Sequence, residues 1–175
     1  MSKNIGRRDF LKSIAVGGTV SIAPWTAFAP DSFAATPVAA GYRIFTPAQA
    51  EMVGAIAEQI VPAGEYPGAR EAGVVQFIDA KLAGPYGGFY VDRYQSGLKI
   101  VDELSRKQFG NTFVSLASDQ QVSLLQALDT GEQENPEGHG FFRLLLQDTF
   151  EGYYGDPEHG ANRDGASWKM IGFGG

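Results

Sequence analysis

The chain has 175 residues, 14 basic and 20 acidic side chains, and a net charge of −6. That balance disfavours nucleic acid or anionic lipid as a partner and suits a soluble acidic protein or one that docks on a basic surface. With no cysteine and only two histidines, the chain has no disulfide, iron–sulfur cluster, thiolate zinc or cysteine-attached haem, and a histidine-rich metal site is disfavoured.

The chain opens with Gly6-Arg7-Arg8-Asp9-Phe10-Leu11-Lys12, then a mildly apolar stretch from Ser13 to Ala29. An arginine pair, two large apolar residues, an apolar region and small residues follow in the order of a twin-arginine export signal. Arg7, Arg8, Phe10 and Leu11 carry that signal. The apolar stretch is shorter than the ~20 residues needed to cross a bilayer. Gly17, Gly18, Thr19 and Pro24 also weaken any helix there. Ser32-Phe33-Ala34 offers a processing site. Ala27-Phe28-Ala29 is a poorer one, because Pro30 follows it. The expected division is a signal over residues 1–34 and one domain over 35–175.

That export route carries folded cargo, often with a cofactor installed. Yet the chain has no Gly-x-Gly-x-x-Gly loop and no Walker loop. The simplest resolution is that another chain holds the cofactor.

The first predicted helix starts at Thr46-Pro47-Ala48-Gln49. Thr46 caps it, Pro47 suits the first turn and Gln49 reaches back. Met52, Val53, Ile56 and Ile60 share one face, and Pro62 and Gly64 end the helix. The segment Tyr42–Phe45 alternates like a strand, but nothing in the sequence pairs with it. A second helix is expected over Glu71–Leu82, with Val74, Phe77, Ile78 and Leu82 inward. Gly84-Pro85-Tyr86-Gly87-Gly88 breaks it. Tyr86, Phe89 and Tyr90, around that break, are assigned to the core.

A third helix is expected over Tyr90–Gln108, with Val91, Tyr94, Leu98, Val101 and Leu104 at core spacing. Arg106 and Lys107 suit its C-terminal dipole, and Gly110 stops it. Ser118 and Gln121 form a capping box for a fourth helix, which uses Val122, Leu124, Leu125 and Leu128 and stops at Gly131. Glu132–Gly138 reads as an acidic loop, and His139 as an exposed loop or helix-start residue. The last helix is expected over Phe141–Tyr153. Its Leu144-Leu145-Leu146 run exceeds one face, so it is central to the core or shared with a partner. The fold class is all-α, about five helices in a single compact domain with an irregular tail rich in glycine and aromatics.

Disordered tails usually lack aromatics, yet residues 150–175 carry Tyr153, Tyr154, Trp168, Met170 and Phe173. Such a segment is ordered by packing, on its own core or on a partner. Tyr153, Tyr154, Asn162, Arg163 and Trp168 are expected in or directly behind a partner surface. Arg163 has two open roles, an internal clamp or a contact to the partner. Asp156, Glu158, His159 and Asp164 could do acid–base work or hold a hard metal ion. The preferred reading is a tight turn, with Asp156 bonding its own backbone and Gly160 at positive φ.

The run FEGYYGDPEHGANRD (150–164) and WKMIGF (168–173), with Phe45-Thr46-Pro47 and Ile60-Val61-Pro62, resembles the gluconate 2-dehydrogenase subunit 3 family. That family includes the small subunits of bacterial membrane-bound fructose, sorbitol and glucose dehydrogenases. One departure is Ala161, where a second glycine is expected. The resemblance implies a three-part enzyme. A flavoprotein large subunit of the glucose–methanol–choline type carries FAD and oxidises a sugar or sugar acid. A multi-haem cytochrome c subunit carries haem c. The small subunit has no catalytic, cofactor-binding or metal-binding residues. It helps the large subunit mature and takes it through the twin-arginine translocase into the periplasm, where the complex sits on the inner membrane. The alternative is a free-standing exported enzyme using Asp156, Glu158, His159 and Asp164.

Overall fold

A computed structural model describes residues 41–131 and 135–173. The export signal with Arg7, Arg8, Phe10 and Leu11, and the division after residue 34, lie outside the described residues. Among those described there are six α-helices and no strand. They are α1 (Pro47–Ile60), α2 (Val74–Leu82), α3 (Gly88–Phe109), α4 (Ser118–Thr130), α5 (Pro136–Tyr154) and α6 (Ala166–Ile171). The all-α class is therefore correct.

The capping box of α1 forms as its sequence dictates. Thr46 Oγ1 accepts from the Gln49 amide at 3.3 Å, and Gln49 Oε1 accepts from the Thr46 amide at 2.9 Å. Val53, Ile56, Ala57 and Ile60 are buried behind it. Burying each of Val53, Ile56 and Ile60 stabilises the fold by roughly 1.5–3 kcal/mol.

Tyr42–Phe45 is not a strand. Its backbone N–H groups are satisfied by one side chain instead. Arg43, Ile44 and Phe45 donate to the Asp79 carboxylate at 2.7, 3.0 and 2.9 Å. Asp79 is buried on α2, and charge-assisted bonds of this kind replace the missing sheet partner. They seat Phe45 on the core, 5.7 Å from the Tyr94 ring.

Four helix starts differ from expectation, α3 by only two residues, since it begins at Gly88 rather than Tyr90. α2 begins at Val74 rather than Glu71, because a turn ends in Gly73 at φ 87°. α5 begins at Pro136, five residues before Phe141. Asn135 caps it, accepting from the Gly138 amide at 2.8 Å, and Pro136 suits the first turn. His139 therefore lies in the first turns of α5, half-buried, with Nδ1 2.8 Å from the Leu128 carbonyl. At α4 the expected box of Ser118 and Gln121 does not form. Ala117 is the capping residue, and Gln120 reaches back to its amide at 3.2 Å. Gln121 is buried and bridges Gln59 at 2.8 Å to the Phe113 carbonyl at 2.9 Å.

α5 packs against α1, α2, α3, α4 and α6, which explains its leucine run. Phe141, Phe142 and Leu145 are buried, with Leu144 and Leu146 packed at the edge.

Candidate partner-facing site

Beyond α5 the chain folds back on its own domain. Asn162 organises this return. It is buried, in the left-handed conformation at φ 48°. Its Nδ2 donates to the Gly155 carbonyl at 2.8 Å. Its Oδ1 accepts from the Ser167 amide at 3.0 Å and from Ser167 Oγ at 2.8 Å. One side chain thus closes both ends of the loop between α5 and α6. Asparagine tolerates this backbone conformation better than most residues. Ala161 is buried beside it and does not have positive φ, so no glycine is required there.

Arg163 acts as the internal clamp. Its amide donates to the Ala72 carbonyl at 3.3 Å and its Nη1 to the Glu71 carbonyl at 3.3 Å. The guanidinium lies over Gly73, where a Cβ would sit 3.0 Å from Nε. The tail is thereby tied to the turn that starts α2. Tyr153 is buried and donates to the Pro67 carbonyl at 2.8 Å. Trp168 Nε1 donates to the Tyr154 carbonyl at 3.1 Å.

The residues expected at a partner surface therefore separate into two groups. Tyr153 and Asn162 are buried inside the domain, and Arg163 holds carbonyls of its own chain. Tyr154 is outside, 40 % exposed, and Trp168 is half-buried. Sequence reasoning missed Ile171 and Phe173, which are 59 % and 63 % exposed. The aromatic rings pair up. Phe150 lies 6.1 Å from Tyr154, and Trp168 lies 5.1 Å from Phe173. A glycine-flanked apolar residue was the available signal.

Asp156, Glu158 and His159 form a turn, and Asp164 lies in a separate one over Arg163–Gly165. Asp156 Oδ1 accepts from the Glu158 amide at 2.9 Å, and Gly160 follows at φ 91°. All four side chains are exposed. Among the described residues no group of His, Cys, Asp or Glu is arranged to hold a metal ion.

A buried polar cluster joins α2, α3 and α5. Asp148 accepts from the Tyr94 hydroxyl at 2.7 Å and from Lys81 Nζ at 2.9 Å. Lys81 also reaches Glu151 at 2.6 Å. Burial, and then the Asp148 charge, push the Tyr94 phenol well above its usual range. For Lys81, burial alone would lower the pKa. Its bonds to Glu151 and Asp148 outweigh that and hold it above the ordinary lysine value. Tyr94 is sealed from solvent, so the cluster ties helices together.

The corner between α2 and α3 reverses an expectation. Tyr86, Phe89 and Tyr90 are not core residues. They are 79 %, 86 % and 42 % exposed. Gly87 packs its backbone against the Leu82 carbonyl so closely that a Cβ would collide with it. That approach turns the flanking rings outward.

Exposed aromatic patches of this kind mark interaction surfaces, and the class that emerges is a helical assembly subunit. Residues 47–175 match the family model described as Gluconate 2-dehydrogenase subunit 3. The chain belongs to that family, and the family is a subunit of a multi-subunit dehydrogenase. No curated protein and no solved structure matches the chain significantly.

Proposed function

We propose that this chain is the non-catalytic small subunit of a periplasmic, FAD-dependent sugar or sugar-acid dehydrogenase. In this reading it is a dedicated chaperone for the flavoprotein large subunit, of glucose–methanol–choline type. It assists that subunit's maturation and carries it through the twin-arginine translocase. FAD belongs to the large subunit, haem c belongs to a multi-haem cytochrome c subunit, and the chain is attached to the inner membrane through the complex. Haem c attachment needs cysteines, and this chain has none.

The observation that carries the reading is the family membership of residues 47–175. The Arg7-Arg8 pair supports the export role. The chemistry-bearing side chains of the tail support a scaffold role, because Asp156, Asn162 and Arg163 are committed to the chain's own backbone. Against a free-standing enzyme built on Asp156, Glu158, His159 and Asp164 stands that Asp156 is spent on its own turn and that all four side chains are exposed. Tyr154, Trp168, Ile171 and Phe173 are the tail's offering to the large subunit, with Tyr153, Asn162 and Arg163 holding them from behind. An escort that keeps its cargo through translocation needs an obligate interface, of ~2,000 Å² or more in total.

The test is cell fractionation with antibodies to both proteins. Replacing Arg7 and Arg8 by lysine is expected to leave this chain and the flavoprotein in the cytoplasm. A flavoprotein that still reaches the periplasm would overturn the escort role.

A further inference from the structure

We propose that the corner of Tyr86, Phe89 and Tyr90 is a second docking point, inserted into an apolar groove of the flavoprotein subunit. This rests on the reading above that such a subunit is the partner, and it adds a place of contact that the tail does not supply.

The corner is built to present these rings. Tyr86 and Phe89 are more exposed than any other large hydrophobic side chain described, at 79 % and 86 %. They are not on a loose loop. The Gly87 amide donates to the Gly84 carbonyl at 3.1 Å, and the Tyr90 amide to the Gly87 carbonyl at 2.8 Å. Gly87 is pressed against the Leu82 carbonyl. Both flanking helices are anchored through Asp148, α2 by Lys81 and α3 by Tyr94. The backbone beneath the rings is fixed in the free chain, so binding need order only the side chains and not the loop.

Area and shape select the occupant. Three aromatic side chains at these exposures offer about 450 Å². Two copies meeting through this corner would bury about 900 Å² in total, below the ~1,200–2,000 Å² of a stable interface. Two outward knobs also cannot fill one another. An anionic bilayer is disfavoured by the net charge of −6. A groove on a partner subunit that also covers the tail satisfies shape and area together.

Position supports a shared footprint with the tail. α2 runs antiparallel to α5, since Lys81 meets Asp148 while Phe77 lies against Gly152. The corner follows the C-terminus of α2, and Arg163 ties the tail to its N-terminus. A nine-residue helix separates the two by about 13 Å. One partner's footprint of ~800 Å², about 30 Å across, can cover both.

The experiment uses the full chain and the purified flavoprotein subunit encoded with it. Three forms are compared: the unchanged chain, the double variant Tyr86→Ser/Phe89→Ser, and the tail variant Tyr154→Ser. Affinity is measured by biolayer interferometry, and melting temperature and sedimentation on each chain alone. The corner variant is expected to melt like the unchanged chain and to bind about 30-fold more weakly. Unchanged affinity in the corner variant, beside weakened binding by Tyr154→Ser, would overturn the corner and leave the proposed function standing. No binding by the unchanged chain would overturn both. A dimer of the unchanged chain that the corner variant dissociates would assign the corner to a second copy and overturn the proposal. So would flotation with phosphatidylglycerol vesicles that the corner variant abolishes.

Discussion

The tail after α5 and the corner before α3 are written in the same residues, glycines interleaved with aromatics and a proline. The tail buries Tyr153 and Asn162 and leaves Tyr154 and Phe173 outside, while the corner turns all three of its rings outward. The difference lies in the hydrogen-bonding side chains each segment owns. Asn162 closes the tail on itself through Gly155 and Ser167, and the Arg163 side chain ties it to Glu71, 92 residues away. The corner has only its own backbone turns, and Gly87 leaves its neighbours no inward room. Glycine-rich aromatic stretches are therefore sorted by whether a polar side chain ties them to the rest of the domain.

The comparison can be broken by removing those polar ties, and the buried cluster should show the largest effect. Asp148→Ala leaves the Tyr94 hydroxyl sealed without an acceptor and Lys81 without its buried partner. A loss of about 3 kcal/mol is expected in urea unfolding. A loss below about 1 kcal/mol would mean that α2 and α3 are not anchored there.

Asn162→Ala comes next. It leaves the Gly155 carbonyl and the Ser167 amide without partners and puts alanine at positive φ. About 2 kcal/mol is expected, read from the same unfolding curves. If the tail were ordered only by a partner, this variant would unfold at the same urea concentration as the unchanged chain.

Alkali should weaken the cluster with a definite sign. Tyr94 and Lys81 both hold their protons more tightly in the folded state. Between the unfolded and folded pKa values the native state binds more protons. Their contribution is complete below about pH 10 and is lost as pH rises through the folded values. Unfolding followed from pH 8 to 11 should show stability falling above about pH 10. Tyr94→Phe should lower the plateau and flatten that fall.

The smallest effect belongs to the corner. Tyr86→Ser/Phe89→Ser should shift stability by no more than about 0.5 kcal/mol, as exposed positions do. A larger loss would place these rings against the domain and erase the contrast with the tail.

What could be read in advance followed from local chemistry. α1 was fully legible because Thr46, Pro47 and Gln49 write its start in adjacent residues. Gly110 and Gly131 likewise marked the ends of α3 and α4, both at positive φ. The start of α5 was obscured because Asn135-Pro136 closes an acidic stretch that reads as loop. α6 has six residues, too few to show a helical period. Asp79 and Asp148 stand in register with apolar neighbours on α2 and α5, the one hint that these carboxylates are buried. Their partners lie 34 to 67 residues away, and no local pattern reports such distances. For the same reason the roles of Arg163 and of the corner were not decidable from spacing.

Hydrogen–deuterium exchange on the full chain, alone and with the flavoprotein subunit, tests the central claim most directly. The tail is held by its own domain, so the Arg163 and Ser167 amides should exchange slowly in the isolated chain. Adding the flavoprotein should then protect the outer edges, around Tyr154, residues 168–173 and the corner at 86–90. Fast exchange at Ser167 in the isolated chain, slowed only by the partner, would contradict the account.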